Sequence, residues 1–216
     1  NRLLSSAISA YGEPDFSMDK NENKERDKKE PIKKKDYYLI KDLDELNVWI
    51  KEAEEIGEVA VDTETSSLDP HQADLIGISL SSKIGKACYI PIGHKSKKNI
   101  NKNLVLNKLK PLLEDPSVKK IGQNIKFDFI ILFKNGINIT SMEDTMLMSY
   151  VLDAGRNRHN MDTLSEIHLN HKTIAFKDLV GTGKKEINFS EVDIEKAKDY
   201  AAEDADITLR LYHKFK

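Results

Sequence analysis

Two carboxylates stand close together at the end of a short apolar run. Asp62-Thr63-Glu64 directly follows Val59-Ala60-Val61. Because side chains alternate along a strand, Asp62 and Glu64 are expected to point to the same face. Neighbouring carboxylates repel each other without a compensating cation, and oxygen ligands on a rigid element suit Mg²⁺ or Mn²⁺. The pair indicates a metal site, although a single pair of this kind is also typical of an exposed strand end.

Two further pairs of polar residues have helical spacing. Asn124 and Asp128 are four residues apart, so a helix predicted over 124–135 would place them on one face. Tyr200 and Asp204 have the same spacing on a helix predicted over 191–215. Either pair alone is typical of an ordinary amphipathic helix. The three patterns DxE, NxxxD and YxxxD in this order are much more specific than any one of them.

In this order the three patterns resemble the exonuclease motifs of the DEDD nucleases in their tyrosine variant. The text around them is similar to the 3'–5' proofreading exonuclease domain of bacterial DNA polymerase I, a family A polymerase. The resemblance implies a ribonuclease H-like (DEDD exonuclease) α/β fold with a mixed five-stranded sheet flanked by helices. It is carried by residues 62–69, 122–128, 143–147, 158–164, 171–174 and 200–206.

The resemblance implies that two divalent cations, Mg²⁺ or Mn²⁺, are held by four carboxylates. The matching residues are Asp62, Glu64, Asp128 and Asp204. Hydrolysis of a phosphodiester places negative charge on the attacking and the leaving oxygen, which two ions about 4 Å apart can stabilise together. Tyr200 matches the tyrosine that orients the attacking water. Since a phenol with a pKa of about 10 stays protonated at neutral pH, Tyr200 can direct the water but is a poor base.

The resemblance also implies contacts with DNA. Leu68 would wedge against the terminal bases, with simple packing as the alternative. Phe127 departs from the family pattern, because related domains often have tyrosine there, and Phe176 would line the single-strand channel or pack in the core. Gln123 and Asn124 would contact the strand near the scissile bond. Arg158 would approach its phosphate backbone.

Hydrophobic periodicity and turn residues predict the elements that must position these side chains. Helices are expected over 42–56, 102–113, 124–135, 144–152, 161–169 and 191–215. Strands are expected over 59–61, 75–80, 87–92 and 119–122, the first three as a meander with a turn over 81–86. Strands first, followed by alternating strands and helices, favour an α/β sandwich with a mixed sheet.

Composition and length limit the classes of protein that this chain can belong to. The 216 residues carry 34 basic and 36 acidic side chains, which does not indicate a strongly basic nucleic-acid binder. One cysteine excludes a disulfide framework and a Cys-rich zinc module. No apolar run approaches the roughly 18 residues of a membrane span, so no membrane partner is expected. Residues 1–36 are predicted to be a flexible charged linker at the end of a preceding domain, and residues 37–216 a 3'–5' exonuclease domain.

The first functional hypothesis is an exonuclease that removes nucleotides from single-stranded or frayed DNA 3' ends as 5'-monophosphates. We expect a monomer in the bacterial cytoplasm, associated with the nucleoid, that works with a polymerase domain of the same full-length chain. A ribonuclease D-like exoribonuclease shares the carboxylates and stays open. A catalytically inactive structural or DNA-binding module is the third alternative, which the presence of all four acids and Tyr200 disfavours.

Overall fold

The computed structural model describes residue 32, residues 36–96 and residues 98–216. The predicted linker over 1–36 therefore lies almost wholly outside the described residues. No helix in this described portion combines the length and the apolar character needed to cross a membrane.

A mixed six-stranded sheet forms the centre of the described region, in the order β1-β4-β3-β2-β5-β6. β2, β3 and β4 pair antiparallel, which confirms the predicted meander, whereas β1 pairs parallel with β4, β5 with β2, and β6 with β5. The strands are β1 (Asp36–Leu39), β2 (Glu58–Thr65), β3 (Leu75–Lys83), β4 (Lys86–Pro91), β5 (Lys119–Gly122) and β6 (Met142–Asp144).

The expected number of five strands was wrong by one. Both β1 and β6 lie at an edge of the sheet, are only 4 and 3 residues long, and carry no fully buried side chain. Short edge strands of this kind give no hydrophobic alternation that periodicity could detect. The turn between β3 and β4 is also shorter than predicted, since only Ile84 and Gly85 lie outside the two strands.

Seven α-helices surround the sheet in the described residues. Two predicted helix starts were wrong by more than one residue: α3 begins at Lys126 and not at residue 124, and α7 begins at Ile194 and not at residue 191. The short helix α6 was not predicted. The helices are α1 (Leu43–Ile56), α2 (Lys102–Glu114), α3 (Lys126–Lys134), α4 (Thr145–Asp153), α5 (Met161–Leu169), α6 (Phe176–Val180) and α7 (Ile194–Phe215).

The two faces of the sheet pack against different helices. Val59 and Val61 of β2 belong to the core cluster that contains buried residues of α1, α2 and α3, whereas Ala60 packs with Leu209 of α7. The buried alanines Ala201 and Ala202 allow α7 to approach the sheet closely. Residues with even numbers in β2 therefore face α7, and these include Asp62 and Glu64.

Candidate active site

Strand β2 carries Asp62 and Glu64 beyond the point where its parallel neighbour stops. β5 pairs with β2 only from Glu58 to Ala60, and its last residue is Gly122. β3 continues to pair with β2 on the other side and holds this part of the strand extended. The strand is thus longer than the predicted range 59–61 and contains both acids. They share one face, as the two-residue period predicts, next to an opening at the end of β5.

Helix α7 brings a third carboxylate to the same place. One side-chain oxygen from each of Asp62, Glu64 and Asp204 lies within 4.8 Å of the other two. Glu64 Oε1 is buried and lacks a hydrogen-bond partner among the described residues. In the described ranges no lysine, arginine or histidine forms an ion pair with these carboxylates. An unpartnered buried oxygen within a cluster of like charges fits a bound cation.

Asp128 reaches β2 from helix α3. Its Oδ1 accepts hydrogen bonds from the backbone N–H of Thr63 at 2.9 Å and from the Thr63 hydroxyl at 2.6 Å. Since β5 has ended, the N–H of Thr63 has no strand partner on that side, and the buried carboxylate of Asp128 takes its place. The fourth predicted acid thus contacts the residue between Asp62 and Glu64, although it is not part of the 4.8 Å cluster.

Burial and mutual repulsion favour the protonated form of these acids. Burial raises the pKa of Asp62 to about 6. Burial, followed by the charges of neighbouring carboxylates, holds the pKa of Glu64, Asp128 and Asp204 well above the usual range of a carboxyl group. Four carboxylates in one buried site repel each other when ionised, and nearby positive charge is needed to stabilise their ionised form.

Tyr200 lies one turn before Asp204 on α7, close enough for the charge of the Asp204 carboxylate to act on its phenol. Burial, with the charges of Asp204 and Glu64, raises the pKa of the phenol far above its usual value. Tyr200 therefore stays protonated and can donate or accept a hydrogen bond without acting as a base.

An aromatic group packs beside Tyr200. The ring centroid of Tyr200 lies 6.0 Å from that of Phe176 and 6.3 Å from that of Phe189, and the last two rings stack at 6.2 Å. Phe189 is only 3% exposed and was not predicted as part of the site. Its signal in the sequence is an aromatic residue within the polar stretch over 181–191.

A cleft of about 820 Å³ opens over Glu64 and Tyr200. Three of the predicted DNA contacts, Leu68, Phe127 and Phe176, line it. The side chain of Leu68 is 91% exposed, so it does not pack in the core, and Phe176 is 43% exposed at the rim.

The other three predicted DNA contacts lie outside the lining of this cleft. Asn124 has a φ of 60° and precedes α3, so the predicted shared helical face with Asp128 was wrong. The Gln123 amide donates to the carbonyl of His159 at 2.8 Å and accepts from the Thr145 hydroxyl. Arg158 is exposed and lines a separate cleft of about 560 Å³ between α4 and α5.

Comparison with known proteins decides the family. The model of the 3'-5' exonuclease family matches residues 37–216. The chain belongs to the 3'-5' exonuclease family. DNA polymerase I of Rhizobium leguminosarum is 46% identical over 197 residues, and DNA polymerase I of Pseudomonas aeruginosa is 43% identical over 183 residues. Each comparison covers 82% of this chain, but only 19% and 20% of the respective relative, so the chain spans about a fifth of their length.

Solved structures with a similar fold support the expected fold class. Brucella melitensis NrnC has a TM-score of 0.61 at 24% identity, covering 84% of this chain and 80% of that chain. The POL domain of Pol1 from M. smegmatis has a TM-score of 0.62 at 17% identity, covering 82% and 26%. These likenesses confirm the expected ribonuclease H-like fold. Together with the relatives, the match identifies a 3'-5' exonuclease domain of the type found in DNA polymerase I.

Proposed function

We propose that this exonuclease domain hydrolyses the last phosphodiester bond at the 3' end of single-stranded or frayed DNA and releases 5'-monophosphates. The observation that carries the proposal is the cluster of Asp62, Glu64 and Asp204 oxygens within 4.8 Å, beside the phenol of Tyr200. In the full-length protein the activity would proofread for a polymerase domain, because the relatives with up to 46% identity are DNA polymerases I.

Two divalent cations fit the carboxylates of the site. Asp62, Glu64 and Asp204 would hold one ion, and Asp62 with Asp128 the other. When bound, the ions would supply the positive charge that stabilises the attacking and leaving oxygens. Oxygen ligands favour Mg²⁺ or Mn²⁺. A structure of Brucella melitensis NrnC, 25% identical with a TM-score of 0.59, contains Mg²⁺, which supports that ion here.

Other side chains of the site would orient the attacking water, hold Asp128 in place and contact the DNA. The Tyr200 phenol orients the attacking water, because it lies beside the carboxylate of Asp204 and stays protonated. Thr63 fixes the carboxylate of Asp128 against β2. Leu68 wedges between the terminal bases, and the rings of Phe127 and Phe176 offer stacking surfaces in the cleft.

Selection of mismatched ends follows from access to the cleft. Stacking and backbone contacts tolerate any base, so the site itself does not read sequence. A mismatched 3' end unpairs at lower cost than a matched end, and therefore reaches the carboxylates more often. Gln123, Asn124 and Arg158 would act along the strand outside the lining of the main cleft. The domain would act as a monomer in the bacterial cytoplasm, at the nucleoid.

The proposal is tested with a 5'-labelled single-stranded DNA oligonucleotide in the presence of Mg²⁺ or Mn²⁺. We expect a ladder that shortens from the 3' end, disappears with EDTA and is absent for Asp204→Ala. Asp199→Ala is the matched control, because Asp199 is an exposed acid on the same helix and should be dispensable. An RNA oligonucleotide of the same sequence tests the ribonuclease alternative. A folded wild-type protein that degrades neither would contradict the proposal and favour an inactive module.

A further inference from the structure

Asn188 joins the two walls of the main cleft. Its amide Nδ2 donates to the carbonyl oxygen of Ser66 at 2.8 Å, across 122 positions of sequence. Ser66 follows β2 and leads to Leu68 on one wall, whereas Asn188 precedes Phe189 on the other. Both ends of this hydrogen bond line the cleft of about 820 Å³.

The wall that carries Asn188 is anchored without this bond. Asn188 Oδ1 accepts from the backbone N–H of Ser190 at 3.0 Å and caps the 3₁₀ turn Phe189–Glu191. Phe189 is buried, and the N–H of Lys95 donates to the Ser190 carbonyl at 2.8 Å. Loss of the bond to Ser66 would therefore leave this wall in place.

The opposite wall is held by hydrogen bonds at both of its ends. At the near end the Ser66 N–H donates to the Asp74 carbonyl at 3.0 Å, and the Asp74 N–H donates to the Ser66 hydroxyl oxygen at 2.9 Å. The Lys134 ammonium of α3 donates to the carbonyl oxygens of Pro70, His71 and Ala73 at 2.8 to 3.1 Å. Leu68, which is 91% exposed, has little packing of its own. These bonds shape the loop from which Leu68 projects, whereas the bond from Asn188 ties that loop to the aromatic wall across the cleft.

We infer that Asn188 is a positioning residue that sets the separation between Leu68 and the aromatic wall formed by Phe176 and Tyr200. The inference rests on the proposed function, in which Leu68 and Phe176 contact the terminal nucleotides. The side-chain hydrogen bonds of Asn188 go to Ser66 and Ser190 and not to the proposed metal-holding acids. Asn188 therefore acts on how the strand is held and not on the hydrolytic step. A wider or more mobile opening would weaken the grip on a single strand, because stacking needs close contact.

The test is the variant Asn188→Ser in the full chain. Serine is an equally good cap, so the bond from Ser190 is kept, but its side chain is too short to reach the Ser66 carbonyl. The matched control is Asn101→Ser, the same change at the N-cap of α2, where the side chain accepts from the Leu104 N–H. KM and kcat are measured on a single-stranded DNA oligonucleotide, with thermal unfolding as the check of folding.

Asn188→Ser should raise KM about three- to tenfold, the range for loss of one neutral hydrogen bond, with kcat nearly unchanged. Asn101→Ser should leave KM unchanged. An unchanged KM in Asn188→Ser, or a fall in kcat alone, would overturn the inference. If the wild type is inactive, the proposed function fails instead, and binding of an oligonucleotide with 3'-terminal 2-aminopurine in EDTA decides the inference. Equal fluorescence changes for wild type and Asn188→Ser would then overturn it.

Discussion

Thr63 and Asp128 are joined by two hydrogen bonds that end on the same oxygen, Asp128 Oδ1, at 2.9 Å from the backbone nitrogen and 2.6 Å from the hydroxyl oxygen of Thr63. The residue between the two acids of β2 thereby fixes the acid that α3 contributes. This relationship links the end of β2 to α3. Three of the four proposed metal-holding acids, Asp62, Glu64 and Asp128, are therefore positioned by one short stretch of β2.

Replacement of Thr63 tests this coupling. Thr63→Val keeps the shape of the side chain but removes the hydroxyl that donates to buried Asp128, which should destabilise the metal-free protein by about 0.5–1.5 kcal/mol and reduce exonuclease activity. Thr63→Ser keeps the hydroxyl and serves as the control. Urea unfolding and oligonucleotide degradation are the measurements. Equal effects of the two substitutions would contradict a role for the hydroxyl.

Replacement of Tyr200 separates orientation of water from metal binding. Tyr200→Phe should lower kcat by about 10- to 100-fold, because the attacking water loses a partner that aligns it. Binding of Mn²⁺ should stay close to that of the wild type, since the carboxylates are intact. Parallel kinetics and Mn²⁺ titration measure the two effects. A parallel loss of rate and metal affinity would contradict the assigned role.

The metal-free protein should become less stable as pH rises from about 4 through about 6. The folded state holds the pKa of Asp62 at about 6, above its unfolded value, so ionisation at higher pH costs stability that is fully present below the unfolded pKa. Unfolding in EDTA across this range, compared with Asp62→Asn, isolates the contribution. Added Mn²⁺ should restore stability at pH 7. A wild type with the same pH profile as Asp62→Asn would refute the expectation.

Leu68 should matter for activity but not for stability. Because its side chain is 91% exposed, Leu68→Ala should change the free energy of unfolding by less than about 0.5 kcal/mol. It should raise KM for single-stranded DNA, since the terminal bases lose an apolar contact. Leu147→Ala is the matched control, because Leu147 is 61% exposed and does not line the cleft. Similar kinetics of the two variants would rule out the wedge.

The sequence was sufficient for the elements that carry strong periodicity. The bounds of β5 and α5 agree with the predicted ranges, and the three-stranded meander and the long C-terminal helix are present. Strand and helix periods predicted that Asp62 shares a face with Glu64, and Tyr200 with Asp204. That the two pairs meet was implied only by the family resemblance, and in the structure the oxygens of Asp62, Glu64 and Asp204 lie within 4.8 Å of one another.

Features that depend on distant contacts or unusual backbone could not be predicted. Asn124 adopts a left-handed conformation, so helical spacing misplaced it relative to Asp128. The amide of Gln123 is held by Thr145 and by the His159 carbonyl, which no local pattern reveals. The edge strands β1 and β6 each pair with one neighbouring strand, β4 and β5 respectively. Their side chains give no sequence pattern that would predict this pairing.

Binding of Mn²⁺ tests the central claim most directly, because the whole account depends on a cation held by the carboxylate cluster. Electron paramagnetic resonance can count free and bound Mn²⁺ in solutions of the wild type, Asp62→Asn, Asp204→Ala and Asp199→Ala. We predict saturable binding by the wild type and by Asp199→Ala, and a large loss of affinity in the other two variants. Equal binding by all four proteins, or no saturable binding by the folded wild type, would contradict the account.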